Sequence, residues 1–215
     1  MKMNKKKLAV VSLVLCIAAI ISMGSLAWFT ADDTVTNTLT FATDFAMDVY
    51  ETDIDGVTQR IVNNETVGWD YTNLHPNQVI HKDPTVLNKS TSEAQWIKVS
   101  VTVDNLSIWS QVVEEGSDLT SIFKEFDASA WTLYGTPVTD EDADTITYTY
   151  ILNSALPAGK TATLFKSVQI PSAITLDQAK ELAGAKIIIK GEALQTSDLG
   201  VTTAKAAWDL VAAEN

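Results

Sequence analysis

From Thr145 to Leu152 the chain places Ile146, Tyr148, Tyr150 and Leu152 on one parity and Thr145, Thr147 and Thr149 on the other. Successive strand side chains point to opposite faces, so this spacing builds a strand with one covered face; an α-helix would need apolar residues three and four apart. The period recurs in Gln95 to Val103, where Ile97, Val99, Val101 and Val103 share a parity, and in Thr161 to Ile170, with Leu164, Val168 and Ile170. A chain patterned this way must stack sheets to cover its apolar faces.

Other segments fill in the same plan. Val79 to Leu87 reads as a strand, placed on an edge because Pro84 cannot donate to a ladder. Trp131 to Tyr134 reads as a strand followed by a polar insertion, and the turn Leu156 to Lys160 leads into Thr161. Lys186 to Leu194, with Ile187, Ile188 and Ile189, reads as a buried strand. Asp53 to Gly56 is a turn, with Val57 to Val62 the returning strand of a hairpin and an asparagine-rich loop up to Gln78. Short helices are expected over Ser117 to Phe126, from the capping box of Thr175 and Gln178 to about Ala183, and over the alanine-rich Thr202 to Ala213. Roughly seven to nine strands with two or three short helices on connections predict an all-β fold, an antiparallel jelly-roll-like sandwich.

The N-terminus has a different character. Lys2, Lys5, Lys6 and Lys7 precede an apolar run from Leu8 to Ile21, and no acidic residue appears before Asp32. This is the layout of an export signal. Ser25 and Ala27 supply small side chains for a signal peptidase, so cleavage is expected after Ala27, leaving Trp28 as the new N-terminus. An uncleaved anchor is the alternative, since Leu8 to Phe29 approaches the roughly 20 residues of a membrane span. The expected organisation is a signal segment over 1–27 and one domain over 28–215, secreted, meeting the membrane only through the segment before cleavage. The only cysteine, Cys16, leaves with that segment, so no disulfide scaffold is expected. Loss of the four lysines moves the formal charge from -12 to -16. Nucleic acid is excluded as a partner, because phosphate recognition needs clustered cations.

The stretch after the expected cut alternates as well, with Phe29, Ala31, Val35 and Leu39 on the odd parity and threonines dominating the even one. The same phase runs on through Met47 and Val49. One strand over that whole stretch would be about 70 Å long, so two strands, broken near Asn37 or Thr43, are expected. Residues 28–40 thus form a candidate assembly strand: an extended segment with one apolar face can complete an open sheet edge on another molecule. Alternation predicts a strand and does not say which molecule it joins.

Several stretches together resemble the TasA/camelysin family of exported Gram-positive proteins. They are the lysine-led leader followed by "GSLAWFTADDTVTNTLTFATDFAMDV", then "LHPNQVIHKDPTVLNKSTSEAQWIKVSVTV", "YTYILNSALPAGKTATLFKSVQIP" and "IIIKGEALQTSDLG". The resemblance implies a SipW-type signal peptidase and a jelly-roll subunit of biofilm matrix fibres or the cell surface. It also implies self-assembly, or assembly with other matrix proteins, in which Trp28 to about Thr40 completes the sheet of a neighbour. The chain departs from that pattern in its bulky Trp28-Phe29 and its longer insertion from Asn63 to Gln78.

Enzymatic alternatives find little support in the residues. Camelysin-like relatives have been described as metalloproteases, but the only histidines, His75 and His81, lack the one-turn spacing of a zinc peptidase. No nucleophile elbow is present, so no catalytic residues and no cofactor are expected. Asp140, Asp142 and Asp144 form an oxygen-rich loop that suits calcium, though without the EF-hand pattern; Asp53 and Asp55 are a second such run. Trp96 and Trp208 are assigned to the interior. Trp69 and Tyr71 are the exposed aromatics a carbohydrate- or protein-binding module would use.

Overall fold

The computed structural model describes residues 30–33, 45–52, 61–62, 65–66, 71–114, 117–197 and 199–214. Residues 1–29, with Ser25, Ala27, Trp28 and Phe29, lie outside them, as do Val35, Leu39, Trp69 and the run with Asp53 and Asp55.

Antiparallel strands in two stacked layers make up the fold. The first layer is a six-stranded sheet around β7 (Gln95–Asp104), the longest strand among the described residues. One side of β7 pairs with β14 (Ile187–Gln195), which pairs in turn with β1 (Thr30–Asp33). Its other side pairs with β11 (Thr145–Leu152), whose far edge carries β9 (Trp131–Leu133) and β10 (Val138–Asp140).

The second layer is built on one broken strand line. β5 (Val79–His81) and β6 (Thr85–Asn88) are separated by Lys82, Asp83 and Pro84. Facing them are β13 (Ser167–Gln169) and β12 (Thr161–Thr163). Pairing register holds across the break, because Pro84 O accepts from Leu164 N at 3.0 Å and Lys82 N donates to Lys166 O at 3.4 Å. β2 (Met47–Tyr50) adds to β6 and β8 (Phe123–Lys124) to β13. The edge position expected from Pro84 therefore holds for β5 alone. β6 is central, between β12 and β2, which is tolerated because the proline stands in the gap where it need only accept.

Between the layers lies the main core, with Ile97, Val99, Val101 and Val103 of β7 and Tyr148, Tyr150 and Leu152 of β11 against Val86, Phe165 and Val168. The alternation read from the sequence is what aims these residues inward. A second, smaller core lies on the outer face of the large sheet. There Trp208 and Ala207 of a C-terminal helix, α3 (Ala204–Glu214), pack on Trp96, Ile151 and Leu194. Trp96 and Trp208 are interior as expected, but beneath a helix rather than between the sheets.

Several local expectations need correction. A helix α1 (Leu106–Val112) follows β7 where none was expected. The expected helix at 117–126 is a single 3-10 turn, Leu119–Ile122, running straight into β8. Thr161 to Ile170 is two strands, and β10 runs from Val138 into the start of the polar insertion at 139–145. β3 (Ile61–Val62) pairs with β4 (Glu65–Thr66), and β4 lies inside the stretch read as loop; the turn at 53–56 and residues 57–60 of the expected returning strand lie outside the described residues. The capping box does open α2 (Leu176–Glu181), with both reciprocal bonds present. β14 is covered unevenly: on one parity Leu194 is buried beneath α3 while Ile188 is half-exposed.

Candidate functional site

The two long edges of the large sheet are finished differently. At one, β1 runs antiparallel to β14 from Thr30 opposite Leu194 to Asp33 opposite Gly191, so Ala31 of the assembly-strand candidates lies opposite Ala193 of the same molecule. At the other, Leu133 pairs with Tyr150 and Val138 with Thr147, so residues 134–137 occupy the length of two residues on β11. Gly135, at φ 76, and Pro137 make this bulge. Bulges and prolines disrupt the regular hydrogen-bonding row that an incoming strand needs. The β9–β10 edge is thereby blunted, while the edge of β14 is regular and is closed by β1.

β1 and β2 are the outermost strands of the two layers on the same side of the sandwich. Beneath them Gly191 is buried, and a Cβ there would sit 2.4 Å from Val49 Cγ2 and 2.9 Å from Met47 Cε. The glycine lets β2 lie close against β14.

Where β2 ends, a polar cluster joins it to the broken strand line. Asp83 Oδ1 accepts from Thr52 N at 2.8 Å and Oδ2 from Thr52 Oγ1 at 2.5 Å. His81 Nε2 lies 2.9 Å from Thr52 Oγ1 and 3.3 Å from Asp83 Oδ1. On the neighbouring positions the buried Lys82 and Glu51 form an ion pair, and Tyr71 OH donates to the His81 carbonyl. Glu51 Oε2 is buried with no partner among the described residues.

A threonine, a histidine and an aspartate in contact suggest nucleophilic catalysis, but the connectivity is wrong. In a relay the acid orients one imidazole nitrogen while the other takes the hydroxyl proton. Here hydroxyl and carboxylate meet the same nitrogen. With the Thr52 hydroxyl donating to Asp83 Oδ2, the arrangement lacks the separate acid and hydroxyl contacts on the two ring nitrogens that a relay uses. The side chain of Asp83 instead stands in for a ladder acceptor, extending β2 past the point where the backbone pairing of β6 stops. Sequence reading missed this clasp. Its signal was Lys82-Asp83, two adjacent charges inside the run Val79 to Leu87 that reads as a strand.

An open groove of about 510 Å³ lies between the 3-10 turn and the blunted edge, lined by Asp118, Phe123, Phe126, Leu133, Tyr148 and Tyr150 among others. Asp118 Oδ1 accepts from Tyr148 OH and from Thr120 N, each at 2.9 Å. Burial first, and then the Asp118 charge, pushes the Tyr150 hydroxyl up to about 12. Burial also raises Tyr148, helped by its hydrogen bond to Asp118. Both hydroxyls stay protonated at neutral pH and supply no phenolate.

The remaining candidates are placed as follows. Asp144, at φ 51, serves α1: its carbonyl accepts from Leu106 N at 3.0 Å and its carboxylate from Ser107 N and Oγ at 2.9 and 2.7 Å. Asp140 Oδ1 accepts from Ala143 N at 3.0 Å, and Asp142 is exposed. Among the described residues no three or more His, Cys, Asp or Glu side chains gather as a metal site would require. Tyr71 is half-buried against the main core, contrary to its expected exposure, because its hydroxyl is drawn to the strand break. His75 is exposed. No family model, curated protein or solved structure matches the chain.

Proposed function

We propose that this protein is a secreted structural subunit of an extracellular matrix or cell surface, assembled by strand addition at the edge of β14. The observation supporting this reading is that the large sheet has one blunted edge and one regular edge, and that the regular one is closed by β1, the first of the described strands. A neighbour's β1 in the same register would make the same backbone bonds, so exchange between molecules costs no contact. Donor and acceptor lie at different places on the subunit. Repeated exchange is then head to tail and builds a filament. Removal of the leader by a signal peptidase would free the donor end.

The test compares a chain beginning at Trp28 with one beginning at Phe41, both at raised salt and lowered pH to reduce the self-repulsion of an acidic protein. Electron microscopy is expected to show filaments for the longer chain and separate particles for the shorter. Filaments from both, or from neither, would remove the proposal.

A further inference from the structure

We propose that the groove beside the blunted edge is a binding site for a small organic cation, an ammonium carried on an apolar body. The proposal goes beyond the strand-addition reading and does not depend on it, because the groove lies at the edge of the large sheet opposite the one that β1 closes.

The strand period of β11 builds the floor of the groove. Tyr148 and Tyr150 share the inward parity, about 7 Å apart along the strand, and both are buried. The Tyr148 hydroxyl is committed, donating to Asp118 Oδ1 at 2.9 Å. Tyr150 differs. It is only 6% exposed, with its ring 5.1 Å from that of Phe126 and tilted by 49°. Its hydroxyl nevertheless makes no hydrogen bond among the described residues, and the residue lines the groove. Buried polar groups are ordinarily paired, since one left alone forfeits the bonds it had in water. A hydroxyl held in this way at the floor of a groove is set to bond with what enters it.

Asp118 supplies the charge. Its bonds from Tyr148 OH and from Thr120 N both end on Oδ1, so Oδ2 has no partner among the described residues. Of the described side chains lining the groove Asp118 alone is charged, and the other polar ones are hydroxyls. A carboxylate oxygen only accepts, and the Tyr150 oxygen can accept as well, so this end of the groove favours a donor bearing positive charge. Phe123, Phe126 and Leu133 line the remainder. Aromatic faces attract a cation and cover an apolar body. A neutral ligand gains nothing from the carboxylate charge, and an anionic one is repelled by Asp118 and by a protein of formal charge -12. The volume of about 510 Å³ is that of a small-molecule site and exceeds what an ammonium ion alone would fill.

The test titrates the protein with benzylammonium, benzyl alcohol and phenylacetate and follows the backbone amides by nuclear magnetic resonance. Benzylammonium is expected to shift the amides of Thr120, Phe123, Leu133 and Tyr150 saturably below about 10 mM, the range for so small a ligand. Benzyl alcohol should bind about tenfold more weakly and phenylacetate not at all. Asp118→Asn keeps an acceptor for Thr120 N and Tyr148 OH but removes the charge, and should weaken benzylammonium about tenfold while leaving benzyl alcohol as it was. Tyr150→Phe keeps the ring and should weaken benzylammonium about two- to tenfold. Leu133→Lys, at a position 43% exposed, brings a cation of the chain's own to the groove and should block the probe without touching the core. An unmoved Val101 amide in each variant shows that the fold is intact. No saturable shift with benzylammonium, equal affinity for the three compounds, or full affinity in both Asp118→Asn and Leu133→Lys would each overturn the proposal. Filaments, or their absence, have no bearing on it.

Discussion

At Gly191 two strands from different layers come closer than a side chain permits. Gly191→Ala would put a methyl 2.4 Å from Val49 Cγ2, so one partner must move, although alanine is otherwise better suited to a strand than glycine. Overpacking of this kind costs about 1–3 kcal/mol. Urea unfolding should show that loss in Gly191→Ala, and adding Val49→Ala should recover part of it, since the nearest obstructing atom is then gone. The Lys82–Glu51 pair poses the opposite problem, two charges taken out of water. Lys82→Ala strands Glu51 and is expected to cost about 3–5 kcal/mol, whereas Lys82→Met with Glu51→Leu should be neutral or stabilising. Chemical denaturation of the two variants separates an ion pair that stabilises from one that only must not be broken.

Among the elements, those legible in the sequence have a covered face that differs from an open one. β7 and β11 alternate because only one face meets the core, and α2 announces itself through the reciprocal bonds of Thr175 and Gln178. α1 was illegible for a physical reason: its N-terminus is completed by Asp144, far away in sequence, while Asn105 at the cap position makes no side-chain cap bond. The clasp at Thr52, His81 and Asp83 was hidden likewise, because a charge inside a strand reveals nothing of the partner that neutralises it. The closure of β14 by Ala31 and its neighbours was half legible, as a strand without an address. α3 was visible as a helix, but not the outer face it covers. Trp208→Ala should weaken the docking of α3 by about 3–5 kcal/mol, the usual cost of removing a buried indole. Limited trypsin digestion is the check: the exposed Lys205 should be cut faster, while sites within β7 stay protected.

At the scale of the molecule, the two cores are tied to the sheet by tyrosines whose hydroxyls cannot easily ionise. Burial, with the bond to Asp209 adding to it, pushes Tyr134 on the α3 side up to about 12. Tyr150 reaches a similar value between the layers, and Tyr148 beside it is raised as well. A phenol whose folded pKa lies above its unfolded value of 10.0 favours the folded state fully below pH 10 and loses that contribution as pH climbs toward the folded value. These three tyrosines, of five in the chain, should therefore resist ionisation until the fold gives way. Ultraviolet titration is expected to show their phenolates forming in a cooperative step above pH 10 that coincides with loss of the β-sheet circular dichroism signal. Acid works on the same α3 contact with the opposite sign. Asp209 is held below its usual 3.8 by Lys205 and by Tyr134, so its contribution is present above that value and lost as pH falls through the depressed one. If Tyr150→Phe moved the alkaline step upward and the Trp208→Ala loosening of α3 left it in place, unfolding in base would begin between the layers. A step moved by Trp208→Ala and not by Tyr150→Phe would place the first failure under α3.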